Sequence, residues 1–320
     1  MFDEDWDHFD VFMDAGLYRV PELQYTGVHT FMNGPESFTP DTRPMIGESV
    51  NVSGLYVAAG FNSVGVMSSA GVGHAIAGWI VNGHPPYDLW EVDVARADPG
   101  WSEHMYLRQR MREAVNDQFA VHWPLKQFEH GRKLRYTPLH ERLRMKAAVF
   151  GSMASWERPL WFSENPDEDN LVHTFSEQPW WEYAAREALR MKNNVALIDL
   201  TPFTKIELSG VGSLDALQNL CAADMDIGPG RSRYTFMLND RGGIEADVTV
   251  MRLNEDVFRI ISPAATRYRD LKRIRQLLND CPSISIADVT STESVIGVVG
   301  PQSRKLLERV TDEDLSLIHI

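Results

Sequence analysis

Apolar and polar positions follow two different periods along the chain. Trp6, Phe9, Val11 and Phe12 open it on a helix-like, acid-rich pattern that Pro21 ends, and residues 25–32 read as extended. Residues 33–47 are turn-rich, with three prolines that prevent a regular helix. Leu55-Tyr56-Val57-Ala58-Ala59 is a continuous run of strand-favouring residues and predicts a buried strand. Val72, Ala75, Ile76, Trp79 and Ile80 then recur at helical spacing, which predicts a helix from near Ser68 that closes at Asn82-Gly83. A second helix is predicted over 103–115, with Tyr106, Leu107, Met111 and Val115 on one face and arginines on the other. Residues 163–178 are polar and acidic (Glu164, Asp167, Glu168, Asp169) and read as an exposed loop.

Beyond that loop the pattern changes. A helix at 181–191 leads into strands at 195–200 and 204–210, a helix at 213–220 and an Asp-Gly-Pro turn at 226–230. Strands at 234–238 and 244–251 form a hairpin across Asn239-Asp240-Arg241-Gly242-Gly243. A strand at 257–261, a helix at 264–278 and a strand at 294–301 complete the series. Strands outnumber helices here and are hairpin-linked, so this half is α+β. With the strand–loop–helix of the first half, the fold class is α+β / α/β multidomain.

The loop between the first strand and its helix is Gly60-Phe61-Asn62-Ser63-Val64-Gly65. Glycines there let the backbone approach a ligand closely, and the free N–H groups of a helix start favour an anion or partial negative charge. On the glycines alone, a tight turn packed by small residues is the simpler reading. The spacing is not the G-x-G-x-x-G of a dinucleotide fingerprint.

Composition narrows the choice of chemistry. The chain has 320 residues, enough for about two domains, and its 43% hydrophobic and 24% charged content is that of globular protein. A net charge of −14 argues against nucleic acid as a partner. The basic, aromatic stretch 119–144 is short, carries Pro124 and Pro138, and reads as a solvated or interdomain face. No apolar run approaches the roughly 20 residues that span a bilayer. Cys221 and Cys281 form no CxxC or metal-ligand pattern, so buried free thiols in a reducing compartment are expected, and no metal. Asp41 reads as a turn residue, and His74 as packed or solvent-facing.

Three segments carry a resemblance: Asn33-Gly34-Pro35-Glu36-Ser37-Phe38-Thr39-Pro40-Asp41, Pro44-Met45-Ile46-Gly47 and Ala59-Gly60-Phe61-Asn62-Ser63. Together they resemble the end of the flavin domain of the sarcosine and dimethylglycine dehydrogenases and the related regulatory subunit of pyruvate dehydrogenase phosphatase. Thr42 departs from the pattern, standing where the usual turn has glycine. The resemblance implies that Gly60, Phe61, Asn62, Ser63, Val64 and Gly65 bind FAD, the helix start facing the pyrimidine edge of the ring. Glu36 is open to two readings, lining the flavin pocket or a solvated loop carboxylate. Ala147-Ala148-Val149-Phe150-Gly151 and Trp156-Glu157-Arg158-Pro159-Leu160-Trp161-Phe162 resemble the exit of that family's middle module. The implied division is 1–97 for the flavin-type part, 98–155 for the middle module and 156–314 for a folate-binding, aminomethyltransferase-like part.

Within the last part, Gly242-Gly243-Ile244-Glu245-Ala246-Asp247 with upstream Gly230-Arg231-Ser232-Arg233-Tyr234-Thr235 resembles the first folate-binding domain of the aminomethyltransferases of glycine cleavage. The resemblance makes Asp247 the catalytic candidate, a carboxylate that orients the tetrahydrofolate N10 amine and manages its proton. Tyr234 is the candidate folate contact, with Arg231 and Arg233 shaping the pocket or serving structure. Glu245 is expected to turn away from Asp247, to solvent.

The implied activity is FAD-dependent demethylation of an N-methylated glycine, with the one-carbon unit passed to tetrahydrofolate and electrons to an electron-transfer flavoprotein or dioxygen. The implied location is the cytoplasm of a bacterium or the mitochondrial matrix of a eukaryote. A non-catalytic phosphatase regulatory subunit is the alternative, and a plain aminomethyltransferase is disfavoured by residues 1–97. The chain is expected to be a fragment that does not catalyse flavin chemistry alone. Leu315-Ser316-Leu317-Ile318-His319-Ile320 is expected to be adapter read-through.

Overall fold

Asp5 caps the first helix by accepting a hydrogen bond from the His8 N–H at 2.9 Å, and α1 (Trp6–Arg19) runs until the chain reaches Pro21. In this computed structural model, residues 2–164, 173–178, 180–279 and 281–315 are described. Residues 316–320 of the expected read-through, and Asp167, Glu168 and Asp169 of the expected loop, lie outside them.

β1 (Met45–Glu48) and β2 (Tyr56–Ala59) form a two-stranded antiparallel sheet. β1 lies across the end of the turn-rich stretch and was not legible as a strand, since Pro44 and Gly47 break its pattern. The strand expected to be buried at 55–59 is instead half-exposed, because among the described residues its sheet has one other strand and one covering helix. That helix is α2 (Gly65–Asn82), which starts three residues before Ser68 and ends on Gly83 at φ +75°. Gly47, at φ +122°, is required by the packing: a Cβ there would lie 2.7 Å from the Trp79 ring.

The middle of the chain contains α3 (His104–Gln118), α4 (His140–Arg144) and the hairpin of β3 (Ala148–Met153) and β4 (Trp156–Phe162). The deepest line of α3 is Tyr106, Arg110 and Ala114, so one arginine lies inside rather than opposite the apolar face.

The last part begins with α5 (Trp181–Asn193), β5 (Ala196–Asp199), β6 (Thr204–Ser209) and α6 (Ser213–Leu220). The hairpin of β7 (Ser232–Leu238) and β8 (Ile244–Asn254) follows, then β9 (Val257–Ser262) and α7 (Arg267–Leu277). β10 (Ser285–Asp288), β11 (Ile296–Val299) and α8 (Ser303–Leu307) complete it. β10, β6, β9, β8 and β7 form one antiparallel sheet in that order, and β11 pairs with β5. α6 and α7 cover one sheet face: Leu217, Leu220, Leu271 and Ile274 pack against Ile206, Leu208, Val248, Val250, Phe258 and Ile260. Each such side chain contributes about 2 kcal/mol by leaving water. The mixed architecture agrees with the expected fold class.

The three parts are tied by polar contacts at long sequence separation. Lys272 of α7 meets Glu48 of β1 at 2.5 Å. The Tyr268 hydroxyl donates to Asp98 at 3.3 Å, and the Thr137 hydroxyl donates to buried Asp199 at 2.5 Å.

Candidate functional site

The glycine loop is built around Asn62, which is 1% exposed although it lies between half-buried Phe61 and exposed Ser63. Its Oδ1 accepts the Thr39 N–H at 2.8 Å, and its Nδ2 donates to Thr39 Oγ1 at 3.1 Å and to the Gly60 carbonyl at 2.5 Å. The Gln118 side chain of α3 donates to the Asn62 carbonyl, so the middle module also holds the loop. Asn62 and Ser63 both adopt left-handed backbone, φ +50° and +65°, a strain that asparagine tolerates better than most residues. Gly60, at φ +67°, fits only without a side chain, since a Cβ would lie 2.4 Å from Thr39 Cγ2.

This geometry delivers the chain to α2 with an open first turn. Val64 offers no side-chain cap, and the first turn carries no acid. The orphan N–H groups and the positive end of the dipole are therefore free for a partial negative charge. Val66 and Met67 beside them are 95% and 81% exposed, an apolar rim suited to a flat heterocycle. The residues present fit the pyrimidine edge of a flavin ring. Gly65, Val64 and Ser63 offer backbone there, whereas the Asn62 side chain is turned inward and sets the loop's shape. The Ser63 hydroxyl donates to Glu36 at 2.7 Å, which draws Glu36 to the loop. Asp41 does more than turn the chain: it holds the Arg96 guanidinium at 2.7 and 3.0 Å. Thr42 sits at φ +57°, the conformation for which glycine is suited. His74 is exposed.

The second site lies on the sheet face opposite α6 and α7. Phe236 and Asp247 are cross-strand neighbours, as are Tyr234 and Thr249. Asp247 is exposed, Tyr234 is 59% exposed, and the Tyr234 and Phe236 rings meet edge-on at 5.4 Å. A carboxylate beside two aromatic faces fits a pterin-bearing amine, offering stacking surface and a proton acceptor. Asp247 and Tyr234 thus share one open face. Arg231 is exposed, and Arg233 donates to the Asp224 carbonyl at 2.8 Å, a structural role.

Glu245 corrects the expectation. It is half-buried and accepts from Asn239 Nδ2 at 2.7 Å, rather than turning to solvent. The hairpin register shifts beside it, between Met237 and Leu238. Alternation places Ala246, not Glu245, on the face opposite Asp247, and Ala246 is buried.

α7 ties the β1–β2 sheet to the last part. Arg269 donates to the Glu245 carbonyl at 2.7 Å, two residues from Asp247, while Lys272, one turn on, holds Glu48. Burial pushes the Glu48 carboxyl up, but the Gly54 N–H and the Lys272 ammonium outweigh it and hold Glu48 below the usual carboxylate range. Asp93, beside this junction, is pushed above its usual range by burial, although the Ala95 N–H and nearby cations oppose the shift. Among the described residues no cluster of metal-ligating side chains occurs, and no helix is long and apolar enough to cross a membrane.

Three families match in succession: FAD dependent oxidoreductase over residues 2–79, FAD dependent oxidoreductase central domain over 82–137, and GCVT N-terminal domain over 139–320. The chain is 36% identical, over 98% of its length, to a 4-methylaminobutanoate oxidase (formaldehyde-forming) of Paenarthrobacter nicotinovorans, of which it covers 38%. It is 32% identical over 99% of its length to mitochondrial sarcosine dehydrogenase of Mus musculus, covering 39% of it. It is 33% identical over 96% of its length to the mouse mitochondrial pyruvate dehydrogenase phosphatase regulatory subunit, covering 36% of it. The chain thus spans less than two fifths of the length of these curated relatives. With a flavin-type start, the central module and the GCVT N-terminal domain in one order, it belongs to the sarcosine and dimethylglycine dehydrogenase family.

Proposed function

We propose that this chain is the flavin-edge, middle and folate-facing part of an FAD-dependent oxidoreductase that demethylates an N-methylated amino acid, sarcosine or dimethylglycine, and transfers the one-carbon unit to tetrahydrofolate. The observation that carries the reading is the pair of open sites, an uncapped helix start and the Asp247–Tyr234 face.

FAD supplies the acceptor of a hydride equivalent from the N-methyl carbon. The α2 start and the backbone of Gly60, Ser63, Val64 and Gly65 hold and polarise the ring edge, while the Asn62 side chain keeps the loop in shape. Tetrahydrofolate supplies the amine that captures the one-carbon unit. Asp247 orients that amine and takes its proton, and Tyr234 and Phe236 offer the stacking surface. Electrons leave to an electron-transfer flavoprotein or dioxygen.

The test uses the protein encoded by the whole reading frame. Sarcosine or dimethylglycine should bleach its flavin anaerobically, and tetrahydrofolate should yield 5,10-methylene-tetrahydrofolate. Asp247→Asn should leave the bleaching rate within about twofold and divert the one-carbon unit to formaldehyde, a loss of roughly a hundredfold in transfer for one general base. Unchanged transfer in that variant would overturn the role of Asp247. A protein that binds no flavin and oxidises no N-methyl amino acid would instead favour a regulatory subunit, the reading suggested by the 33% identity to the mouse phosphatase subunit.

A further inference from the structure

Arg110 occupies the buried line of α3 with only part of its guanidinium satisfied. It is 5% exposed. Its guanidinium carbon lies 4.0 Å from the Phe128 ring centre and 5.5 Å from that of Tyr106. Nη2 donates to the Gly131 carbonyl at 2.6 Å, but Nε is buried with no acceptor. Among the described residues no carboxylate forms an ion pair with it; burial, the largest influence, lowers its pKa from the ordinary arginine value. Glu113 and Glu157 act on it only through space and Arg132 opposes them, so among the described residues its guanidinium has no carboxylate in direct contact and room for one.

The space beside it is a pocket of about 140 Å³, walled by Trp101, Tyr106, Phe128, Leu134 and Ser152. The other charges that line it are mostly taken. Arg132 is paired with Glu157, and Asp41 with Arg96. Lys133 at the rim is exposed, is held at φ +70°, and forms no ion pair among the described residues. The pocket therefore presents one buried and one rim cation to an aromatic interior. A cavity of about 150 Å³ accepts benzene, which sets the occupant at roughly five to seven heavy atoms.

We propose that this pocket in the middle module binds a small organic carboxylate, its anionic end on Arg110 and its short apolar body against Phe128, Tyr106 and Trp101. The site shares no residue with the glycine loop or with the Asp247 face, so it stands whether or not the proposed reaction does. Inorganic phosphate meets the charge but not the aromatic walls, and a nucleotide exceeds the volume.

The test titrates this chain with sodium propionate, with 1-propanol, phosphate and sodium chloride at matched ionic strength as controls. Propionate should raise the thermal midpoint saturably, and the controls should not. Arg110→Met should bind propionate at least tenfold more weakly. Lys133→Ala, at an exposed position, should weaken binding severalfold and keeps the test informative if Arg110→Met fails to fold. Equal shifts with propionate and chloride, or an undiminished shift in the variants, would overturn the proposal. So would binding by this chain but not by the whole polypeptide, which would assign the site to a side-chain carboxylate from elsewhere in the protein.

Discussion

Asn62→Ala isolates what the glycine loop owes to one side chain. The substitution removes the acceptor of the buried Thr39 N–H and the donor to the buried Gly60 carbonyl, while Thr39 Oγ1 keeps its bond to the Arg43 carbonyl at 2.8 Å. Each orphaned buried group costs about 1–3 kcal/mol. Alanine at φ +50° adds about 1 kcal/mol, because its Cβ crowds the next carbonyl where asparagine adapts. The sum is roughly 3–7 kcal/mol against local closure of the loop. A chain of several tied parts has no single unfolding free energy, so hydrogen exchange over residues 37–64 is the suitable measure. Exchange of the Thr39 and Asn62 amides should accelerate by at least about a hundredfold in Asn62→Ala. Asn62→Gly removes the same hydrogen bonds but not the backbone fit, so it should exchange about fivefold more slowly than Asn62→Ala. An acceleration below about fivefold in Asn62→Ala would refute the claim that this side chain shapes the loop.

Other substitutions probe single features. Thr42→Gly, which relieves a β-branched residue at φ +57°, should stabilise its turn by up to about 1 kcal/mol and raise the thermal midpoint. Lys272→Met should cost roughly 2–3 kcal/mol at neutral pH by leaving Glu48 without its cation. Since the folded pKa of Glu48 is depressed, its contribution is full above about 4.5 and is lost as pH falls through the folded value, so the midpoints of Lys272→Met and the parent should converge in acid. Burial pushes the Cys221 thiol up to about 12, so iodoacetamide should label Cys221 only after unfolding; labelling in the native chain at pH 8 would contradict that burial.

What could be read from the sequence was whatever its periodicity repeats. The apolar stripe of α2, the hairpin punctuated by Gly242-Gly243 and the strand at Thr204–Ser209 all follow from local pattern. β1 escaped because Pro44 and Gly47 break its run, and β10 because it lacks the continuous apolar run that marks the equally short β2, β5 and β11. Arg110 escaped because an arginine at an inward position leaves the apolar count of its helix unchanged, while Leu107 and Met111 define a convincing neighbouring face. Glu245 shares the face of Asp247 by simple alternation, and only its Asn239 partner depends on the hairpin. For the candidate sites, the residue types were legible and their neighbours were not. Nothing near Asn62 announces Thr39, 23 residues away, and nothing in α7 announces Glu48, 224 residues away.

The Thr137–Asp199 hydrogen bond carries a consequence for recombination. The central-domain match ends at residue 137 and the GCVT match begins at 139, a junction at which a gene fusion would naturally be cut. Thr137 stands on the upstream side of that cut, yet its hydroxyl is buried against Asp199 on the downstream side. Tyr268 reaches back to Asp98 in the same way. A chimaera that takes its first 138 residues from a relative inherits a foreign half of one buried and one half-buried polar pair, and keeps both only when the donor carries compatible groups. Crossovers placed after Phe162 would leave the Thr137–Asp199 pair just as divided, so successful exchange of these parts requires co-selection of residues 98, 137, 199 and 268 rather than a better-chosen seam.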